Sequence, residues 1–112
     1  MEKLKYATLK EIVYTLLHLI PLGKVTTYKV LSEIVGKSPR LIGKILSENE
    51  NIIVTPCHRV VKHNGHIGGY SLGVKFKEKI LVLEGVKLCK NNNKIFIKRE
   101  HIIDLSKVLE LR

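Results

Sequence analysis

One short segment of the sequence combines a cysteine with groups that could make its sulfur reactive. Cys57 follows Pro56, which restricts the backbone, and precedes His58 and Arg59. Because the thiolate is the useful nucleophile, a neighbouring imidazole and guanidinium both favour the reactive form of the sulfur. An adjacent Cys-His pair is also common at inert positions, since cysteine is often simply buried. The segment therefore predicts a nucleophile only if other residues support it.

The composition limits what this segment could serve. The chain has 112 residues, of which 45% are hydrophobic, as expected for one folded domain with a modest core. Twenty Lys and Arg residues against ten Asp and Glu residues leave a net charge of +10, which favours a polyanionic partner, although a solvated lysine-rich surface explains it equally well. We expect a soluble, cytoplasmic protein with reduced cysteines, because the sequence has no secretory leader and no apolar run near the ~20 residues that span a bilayer.

Helical periodicity predicts three helices ahead of the cysteine. Behind a capping box at Thr8–Glu11, apolar residues recur at helical spacing as far as Pro21. Thr27 is expected to cap a second helix that ends at Gly36, and Ser38 a third helix whose first residue is proline. Two short helices joined by about four residues that include glycine predict a helix-turn-helix, with an ordinary helical hairpin as the alternative.

Beyond the third helix the pattern becomes mixed. The β-branched run at 52–54 predicts a strand that leads towards the cysteine. The remaining predicted elements are, in chain order, an extended pair at 60–61, a turn at 64–65, a loop at 68–71, a helix over 74–84 ended by Gly85, two strands about a turn at 90–94, and a helix over 104–111. The expected fold is mostly α with short β elements, a winged-helix-like helix-turn-helix domain that carries the cysteine.

The segment around the cysteine resembles a known active site. Pro56-Cys-His-Arg-Val60 is similar to the Pro-Cys-His-Arg-Val segment of the O6-alkylguanine-DNA alkyltransferases. The similarity continues in order through Ile20-Pro-Leu-Gly23, Tyr28, Arg40-Leu-Ile-Gly43, Asn49, Gly68-Gly-Tyr-Ser71 and Leu83-Glu-Gly85. It covers roughly residues 9–88, which leaves 89–112 as a C-terminal extension of a single domain, 1–112.

The resemblance implies a DNA-repair protein that is consumed by its own reaction. Cys57 would accept the alkyl group of O6-alkylguanine, and O4-alkylthymine is a further possible substrate. His58 would draw the thiol proton through a water molecule, and Glu84 would orient His58. Asn49 resembles the hinge amide that braces the recognition helix against the cysteine segment. The resemblance implies no cofactor and no metal ion.

The resemblance also implies a DNA interface. The damaged nucleotide must leave the base stack before a protein thiol can reach it. Tyr28 would help to rotate it, Arg40 would fill the gap, and Gly43 and Lys44 would contact DNA from the recognition helix. The flipped base would be bound by the backbone around Cys57 and Val60 and by the Ser71 side chain, with Tyr70 as a wall of the pocket. The expected partner is double-stranded DNA entered through the minor groove, with phosphate contacts from a cluster of lysines: Lys24, Lys29, Lys37 and Lys44.

The sequence departs from the family pattern near the substrate. Leu72 stands where a glycine is common, and Glu50 where the family usually has proline. On the recognition helix, Leu41, Lys44 and Ile45 replace residues that are often Ala or Gly. Most family members also have an additional N-terminal domain, whereas this sequence begins almost at the catalytic domain.

An alkyltransferase-like protein, which flips and flags damaged guanine without accepting the alkyl group, is the main alternative. Such proteins replace the acceptor cysteine, usually by tryptophan, so Cys57 argues against this function. The basic tail at 94–98 nevertheless resembles that group.

Two further alternatives use other features of the chain. A small helix-turn-helix regulator would need a dimer surface, and because the sequence has no heptad stripe we expect a monomer. A zinc site would need ligands whose spacing matches no common pattern, namely Cys57, His58, His63, His66 and Cys89.

Overall fold

The computed structural model of the protein describes residues 5–110. Its helices are α1 (Tyr6–Leu17), α2 (Tyr28–Val35), α3 (Pro39–Ser47), α4 (Val74–Leu83) and α5 (Leu105–Glu110). Its strands are β1 (Thr26–Thr27), β2 (Val60–Val61), β3 (Leu88–Asn91) and β4 (Lys94–Ile97). This confirms the expected fold, mostly α with short β elements, while the predicted end of the last helix at Leu111 lies outside the described residues.

The capping box predicted at Thr8 is wrong. Helix α1 begins at Tyr6, and Lys5 stands at its N-cap without a side-chain hydrogen bond. The Tyr6 hydroxyl donates to Oε1 of Glu48 at 2.6 Å. We attribute the earlier start to this distant contact, because tertiary contacts stabilise a helical turn that local capping does not predict.

Helices α2 and α3 form the predicted helix-turn-helix, and their caps are confirmed. The Thr27 side chain accepts from the amide of Val30, and the Ser38 side chain accepts from the amide of Leu41. Gly36 ends α2 with a φ of 71°, in the left-handed region. Residues with a side chain rarely adopt this conformation. The three N-terminal helices share one core, which includes Leu9, Val13, Leu17, Leu31, Ile42 and Ile45.

The strand predicted at 52–54 is wrong, because the chain turns there. Ile53 has a φ of 81° and Val54 is 76% exposed, whereas a buried strand was expected. The buried Asn49 side chain closes this turn: its amide donates to the carbonyl of Thr55 at 3.0 Å, and its oxygen accepts from the amide of Asn51 at 2.9 Å. These bonds override the β propensity of the run.

A short parallel pairing holds the cysteine segment against the helix-turn-helix. Thr26 pairs with Val60 and Thr27 with Val61, which joins β1 to β2. Tyr28 follows β1 directly at the start of α2. The pairing therefore fixes the first turn of α2 beside the segment that follows Cys57.

The two C-terminal strands form the predicted hairpin. β3 pairs antiparallel with β4, and the turn residues Asn92 and Asn93 both have positive φ, as expected for a tight hairpin turn. β4 also pairs with the segment 65–67, through hydrogen bonds from Ile67 to Ile95 at 3.0 Å and from Ile97 to Gly65 at 2.7 Å. The hairpin thus extends a small sheet along the edge of the domain.

Candidate active site

The cysteine lies in a tight turn and not in the extended segment that the pattern predicted. Residues Cys57–Arg59 form one turn of 3-10 helix, and the amide of Val60 bonds to the Cys57 carbonyl. Cys57 is 5% exposed and His58 is fully buried. The turn places both side chains inside the protein, where His58 requires a hydrogen-bond partner.

Glu84 provides that partner and also binds Arg59. Its Oε2 lies 2.9 Å from Nε2 of His58, and both carboxylate oxygens accept from the Arg59 guanidinium at 3.0 Å. Arg59 also donates to the carbonyl of Ile20 at 3.0 Å. Burial opposes the charge on Glu84, but the bonds from Arg59 and His58 outweigh it and lower the pKa of the carboxyl.

The same contacts select one tautomer of His58. An ionised Glu84 accepts a hydrogen bond, so Nε2 carries the proton and Nδ1 keeps its lone pair. Nδ1 is buried without a partner. Burial lowers the pKa of His58, although Glu84 opposes this, and the ring is therefore neutral near pH 7. His58 is thus held as an unprotonated base directly after Cys57 in the chain.

Two glycines allow Glu84 to reach this position. Glu84 caps the C-terminus of α4, and Gly85 continues the chain at φ 91°. Gly23 packs against this end of the helix: a Cβ there would lie 3.1 Å from the Glu84 carbonyl oxygen, and its φ is 84°. Glycine is needed at position 23 both for space and for its left-handed backbone.

A cavity of about 370 Å³ opens beside the cysteine. Its lining brings together five residues that the sequence singled out, namely Cys57, Tyr28, Gly43, Tyr70 and Ser71. Leu46, Ser47 and Gly69 also line it and were not predicted, although Leu46 and Ser47 lie on the predicted recognition helix. This volume is in the range of small-molecule sites.

Both tyrosines of the cavity are held in the neutral form. Burial raises the pKa of Tyr70 to about 12, with smaller contributions from Cys57 and Glu84. The pKa of Tyr28 is also raised, first by burial and then by Cys57. The Tyr70 hydroxyl is buried without a partner. Each hydroxyl therefore keeps its proton for a hydrogen bond at neutral pH.

Lys77 is a residue of the site that the sequence did not reveal. It is fully buried, and its Nζ donates to the carbonyl of Val60 at 2.8 Å and to the carbonyl of Gly69 at 3.2 Å. Burial lowers its pKa to about 7, while Cys57 has a smaller, opposite effect. The ammonium group thus ties the strand after Cys57 to the loop that carries Tyr70.

The predicted base-binding role of Val60 rests on its backbone. Its side chain is buried and does not line the cavity, and its carbonyl already accepts from Lys77. A carbonyl oxygen has a second lone pair, so a further hydrogen bond stays open to it.

A second cavity of about 640 Å³ adjoins the first along the recognition helix. Arg40 lines it with Tyr28 and Gly43 on one side, and Lys62, His63 and Asn64 on the other. Arg40 is exposed in the first turn of α3. The helix-turn-helix therefore presents an open face with cations on both sides.

The predicted lysine cluster is only partly free for a ligand. Lys44 lies 5.3 Å from the centre of the Tyr6 ring, and Lys24 donates to the carbonyl of Glu100 at 3.1 Å. Lys29 lines the second cavity, and Lys37 is exposed beyond α2.

The described residues form neither a metal-binding cluster nor a membrane-spanning helix. Within residues 5–110, no three His, Cys, Asp or Glu side chains gather closely enough to hold a metal ion, so the five residues weighed for zinc form no such group. No helix in this same range is long and apolar enough to cross a membrane.

The family follows from a comparison with known sequences. The family model described as 6-O-methylguanine DNA methyltransferase, DNA binding domain, matches residues 8–86. The chain belongs to this family. The resemblance drawn from the segment around Cys57 is thereby confirmed.

Curated methyltransferases of the family match this chain over part of their length. A methylated-DNA--protein-cysteine methyltransferase of Saccharolobus solfataricus is 55% identical over 69 residues, which are 62% of this chain and 45% of that protein. The chain therefore spans about half the length of the curated relatives it matches.

Solved structures of the methyltransferase family have the same fold. The O6-methylguanine-DNA methyltransferase of Pyrococcus kodakaraensis superposes with a TM-score of 0.65 at 42% identity, over 69% of this chain and 46% of that one. S. pombe Atl1, in complex with damaged DNA containing O6-carboxymethylguanine, superposes with a TM-score of 0.78, over 89% of this chain and 98% of that one. At 23% sequence identity, this match shows similarity of fold only.

Proposed function

We propose that this protein repairs DNA by transferring the alkyl group of O6-alkylguanine to Cys57. The observation that carries the proposal is the position of Cys57 on the cavity wall, next to a buried His58 that Glu84 holds in one tautomer. The methyltransferase names of the relatives support the reaction, and the DNA binding domain named by the family model supports the ligand. The protein would act as a monomer on double-stranded DNA, without a cofactor.

The proposed reaction forms one bond and breaks one. The thiol of Cys57 gives its proton through a water molecule to Nδ1 of His58, and Sγ attacks the saturated carbon attached to O6 of guanine. The S–C bond forms as the C–O6 bond breaks, and its electron pair passes to the purine. The purine gains a proton from the neutral Tyr28 hydroxyl in the cavity. The thiol proton held by His58 then passes through water to Tyr28, which restores the neutral forms of both side chains. The net change is replacement of the thiol hydrogen by the alkyl group.

The product explains why one molecule would act once. A thioether carbon is a poor target for water, so the alkyl group stays on Cys57. The sulfur is nearly buried at 5% exposure, and an added alkyl group needs room between the cysteine turn and α3. The reaction is therefore stoichiometric in protein.

We assign binding and chemistry to one domain, residues 1–112. Tyr28 would rotate the nucleotide, and Arg40 would occupy the vacated position while α3 enters the minor groove. Tyr70 and Ser71 would contact the flipped base in the cavity, with the Val60 backbone behind them. Gly43 lines both cavities, and a Cβ added there meets no atom within 4 Å, so backbone can approach DNA closely at this position. Lys44 would contact DNA from the same helix.

Asn49 would act through the backbone. Its side chain ties the end of α3 to the turn before Cys57, through the bonds to Asn51 and Thr55. Movement of α3 on DNA would thus be coupled to the position of the nucleophile.

Intact-protein mass spectrometry after incubation with an O6-methylguanine duplex tests the proposal. We expect one added methyl group on the wild type, mapped to Cys57, and none on Cys57→Ala. Cys89→Ala is the matched control because Cys89 is exposed and lies outside the cavity, so this variant should be methylated normally. If the wild type stays unmodified but still binds the lesion tightly, the transfer proposal is wrong and the damage-flagging function is supported instead.

A further inference from the structure

The hairpin of β3 and β4 lies beyond the part of the chain that matches the family. The match ends at residue 86, and the hairpin occupies Leu88–Ile97. It nevertheless packs on the family domain, because β4 pairs with the segment 65–67 next to the second cavity. The hairpin therefore lies outside the residues that the family model matches.

The register of this pairing carries the hairpin turn towards the cavity that holds Cys57. His66 pairs antiparallel with Phe96, so Lys94 comes level with Gly68. Gly69, the next residue, lines that cavity. The register therefore directs the end of β4 at the hairpin turn towards Gly68 and Gly69.

One face of the hairpin combines cations with an aromatic pair. The rings of His66 and Phe96 meet edge to face at 5.5 Å. Strand alternation places Lys94 on the same face as Phe96, and Lys94 and Lys62 are both exposed. The pKa of His66 is lowered by burial first and then by the charges of Lys62, Lys94 and Lys77.

The charge of this region is unbalanced. Residues 87–99 contain five Lys or Arg and no Asp or Glu. Among residues 5–110, neither Lys62 nor Lys94 forms an ion pair with a carboxylate. Because isolated cations at a binding surface stay available to phosphate, this face suits the backbone of a nucleic acid.

We propose that Lys62 and Lys94 form a second contact with the DNA backbone, on phosphates flanking the flipped nucleotide and opposite the recognition helix. The proposal rests on the proposed function, since DNA must first occupy the groove beside Arg40. Lys62 lines that groove directly, and Lys94 lies on the adjoining hairpin, level with Gly68 in the strand register. The two lysines would hold the strand whose nucleotide has left the stack.

The salt dependence of duplex binding tests this contact. Affinity for a fluorescent O6-methylguanine duplex is measured from low to physiological salt. Because the reaction would consume the lesion, Cys57→Ala serves here as the wild-type reference, and Lys62→Gln and Lys94→Gln are made in that background. Each variant should bind about 3-fold to 10-fold more weakly, and the slope of log affinity against log salt should fall by about one. The double variant should lose about two units of slope.

Lys90→Gln is the matched control. Lys90 pairs with Ile95, so it lies on the other face of the same hairpin, and it lines a separate cavity with Leu88 and Lys98. This variant should keep the wild-type slope, and the melting temperatures of all variants should agree within a few degrees. A slope for Lys62→Gln and Lys94→Gln equal to that of Lys90→Gln, with the wild type still binding, would overturn the second contact alone. A wild type that does not bind the duplex would overturn the proposed function as well.

Discussion

On the inner side of Cys57, three ionisable side chains are hydrogen-bonded to one another inside the protein. On the open side, the cations face solvent. His58, Arg59 and Glu84 are joined by hydrogen bonds of 2.9 to 3.0 Å. Arg40 and Lys62, across the open face, are exposed and line a cavity. Buried, paired charges are screened little by salt, and exposed charges strongly. Chemistry and DNA binding in this domain should therefore respond separately to mutation, salt and pH.

The largest expected effect comes from breaking the buried side. Glu84→Gln removes the charge that pairs with Arg59 and lets the amide donate to His58, which favours the wrong tautomer. We expect the rate of self-alkylation to fall roughly 10²-fold to 10³-fold, both on duplex DNA and on free O6-benzylguanine. Folding stability should fall by about 2 to 4 kcal/mol, measured by denaturant unfolding.

Glu78→Gln provides the control for this change. Glu78 lies on α4 as well, but it lines a separate surface groove together with Lys75 and Lys79. This variant should keep the wild-type rate and lose under 0.5 kcal/mol of stability, as is usual for surface positions. Equal behaviour of the two variants would refute the buried network as the source of reactivity.

Lys77→Met tests the part of the buried side that sequence did not predict. The unfolded lysine has its ordinary pKa of 10.5, whereas in the folded protein it is about 7. Between these values the unfolded chain binds more protons, so the stability contributed at this position rises as pH rises through about 7. We expect the wild type to gain on the order of 3 kcal/mol over Lys77→Met between pH 6.5 and 9.5.

Unfolding by denaturant at the two pH values measures this difference directly. Lys79→Met, an exposed change on the same helix, should show no such dependence on pH. A constant gap between wild type and Lys77→Met would mean that Lys77 stays charged within the core.

The elements that the sequence predicted correctly depend on near neighbours. Thr27 and Ser38 bond to amides three residues on, and Gly36 takes the left-handed form that ends α2. Such interactions are encoded within a few residues, so pattern alone finds them. The turn at 52–54 depends instead on hydrogen bonds from the Asn49 side chain across the loop. No local sequence pattern predicts these bonds.

The candidate site divides in the same way. The segment around Cys57 and the position of Glu84 came from a resemblance, and the structure brings their side chains into contact. Lys77 was overlooked because lysines are common on the surface of this basic chain. One signal was present: Lys77 lies four residues before the buried Leu81, on the inner stripe of α4. A lone cation on an apolar stripe predicts a buried donor.

A smaller effect is expected on the open side. Arg40→Ala leaves the buried network untouched and removes the side chain proposed to occupy the vacated base position. We expect the rate on duplex DNA to fall about 10-fold. Removing a nucleotide from the stack costs a few kcal/mol, and without Arg40 less of this cost is offset. The rate on free O6-benzylguanine should change less than twofold, because no nucleotide has to leave a stack. Equal losses on both substrates would place Arg40 in the chemistry.

The pH dependence of the rate should be small near pH 6.5, where a histidine with an ordinary pKa would already be partly protonated and less active. His58 must be neutral to accept the thiol proton, and burial lowers its pKa below the ordinary 6.5. The neutral base, and the stability that depends on it, are therefore present above pH 6.5 and are lost only as pH falls through the lower, folded value. We expect the rate on free O6-benzylguanine to change less than twofold between pH 7.5 and 6.5, with His63→Gln, an exposed change, giving the same profile. A midpoint at or above pH 6.5 would mean that Glu84 outweighs burial and that His58 is held as the cation.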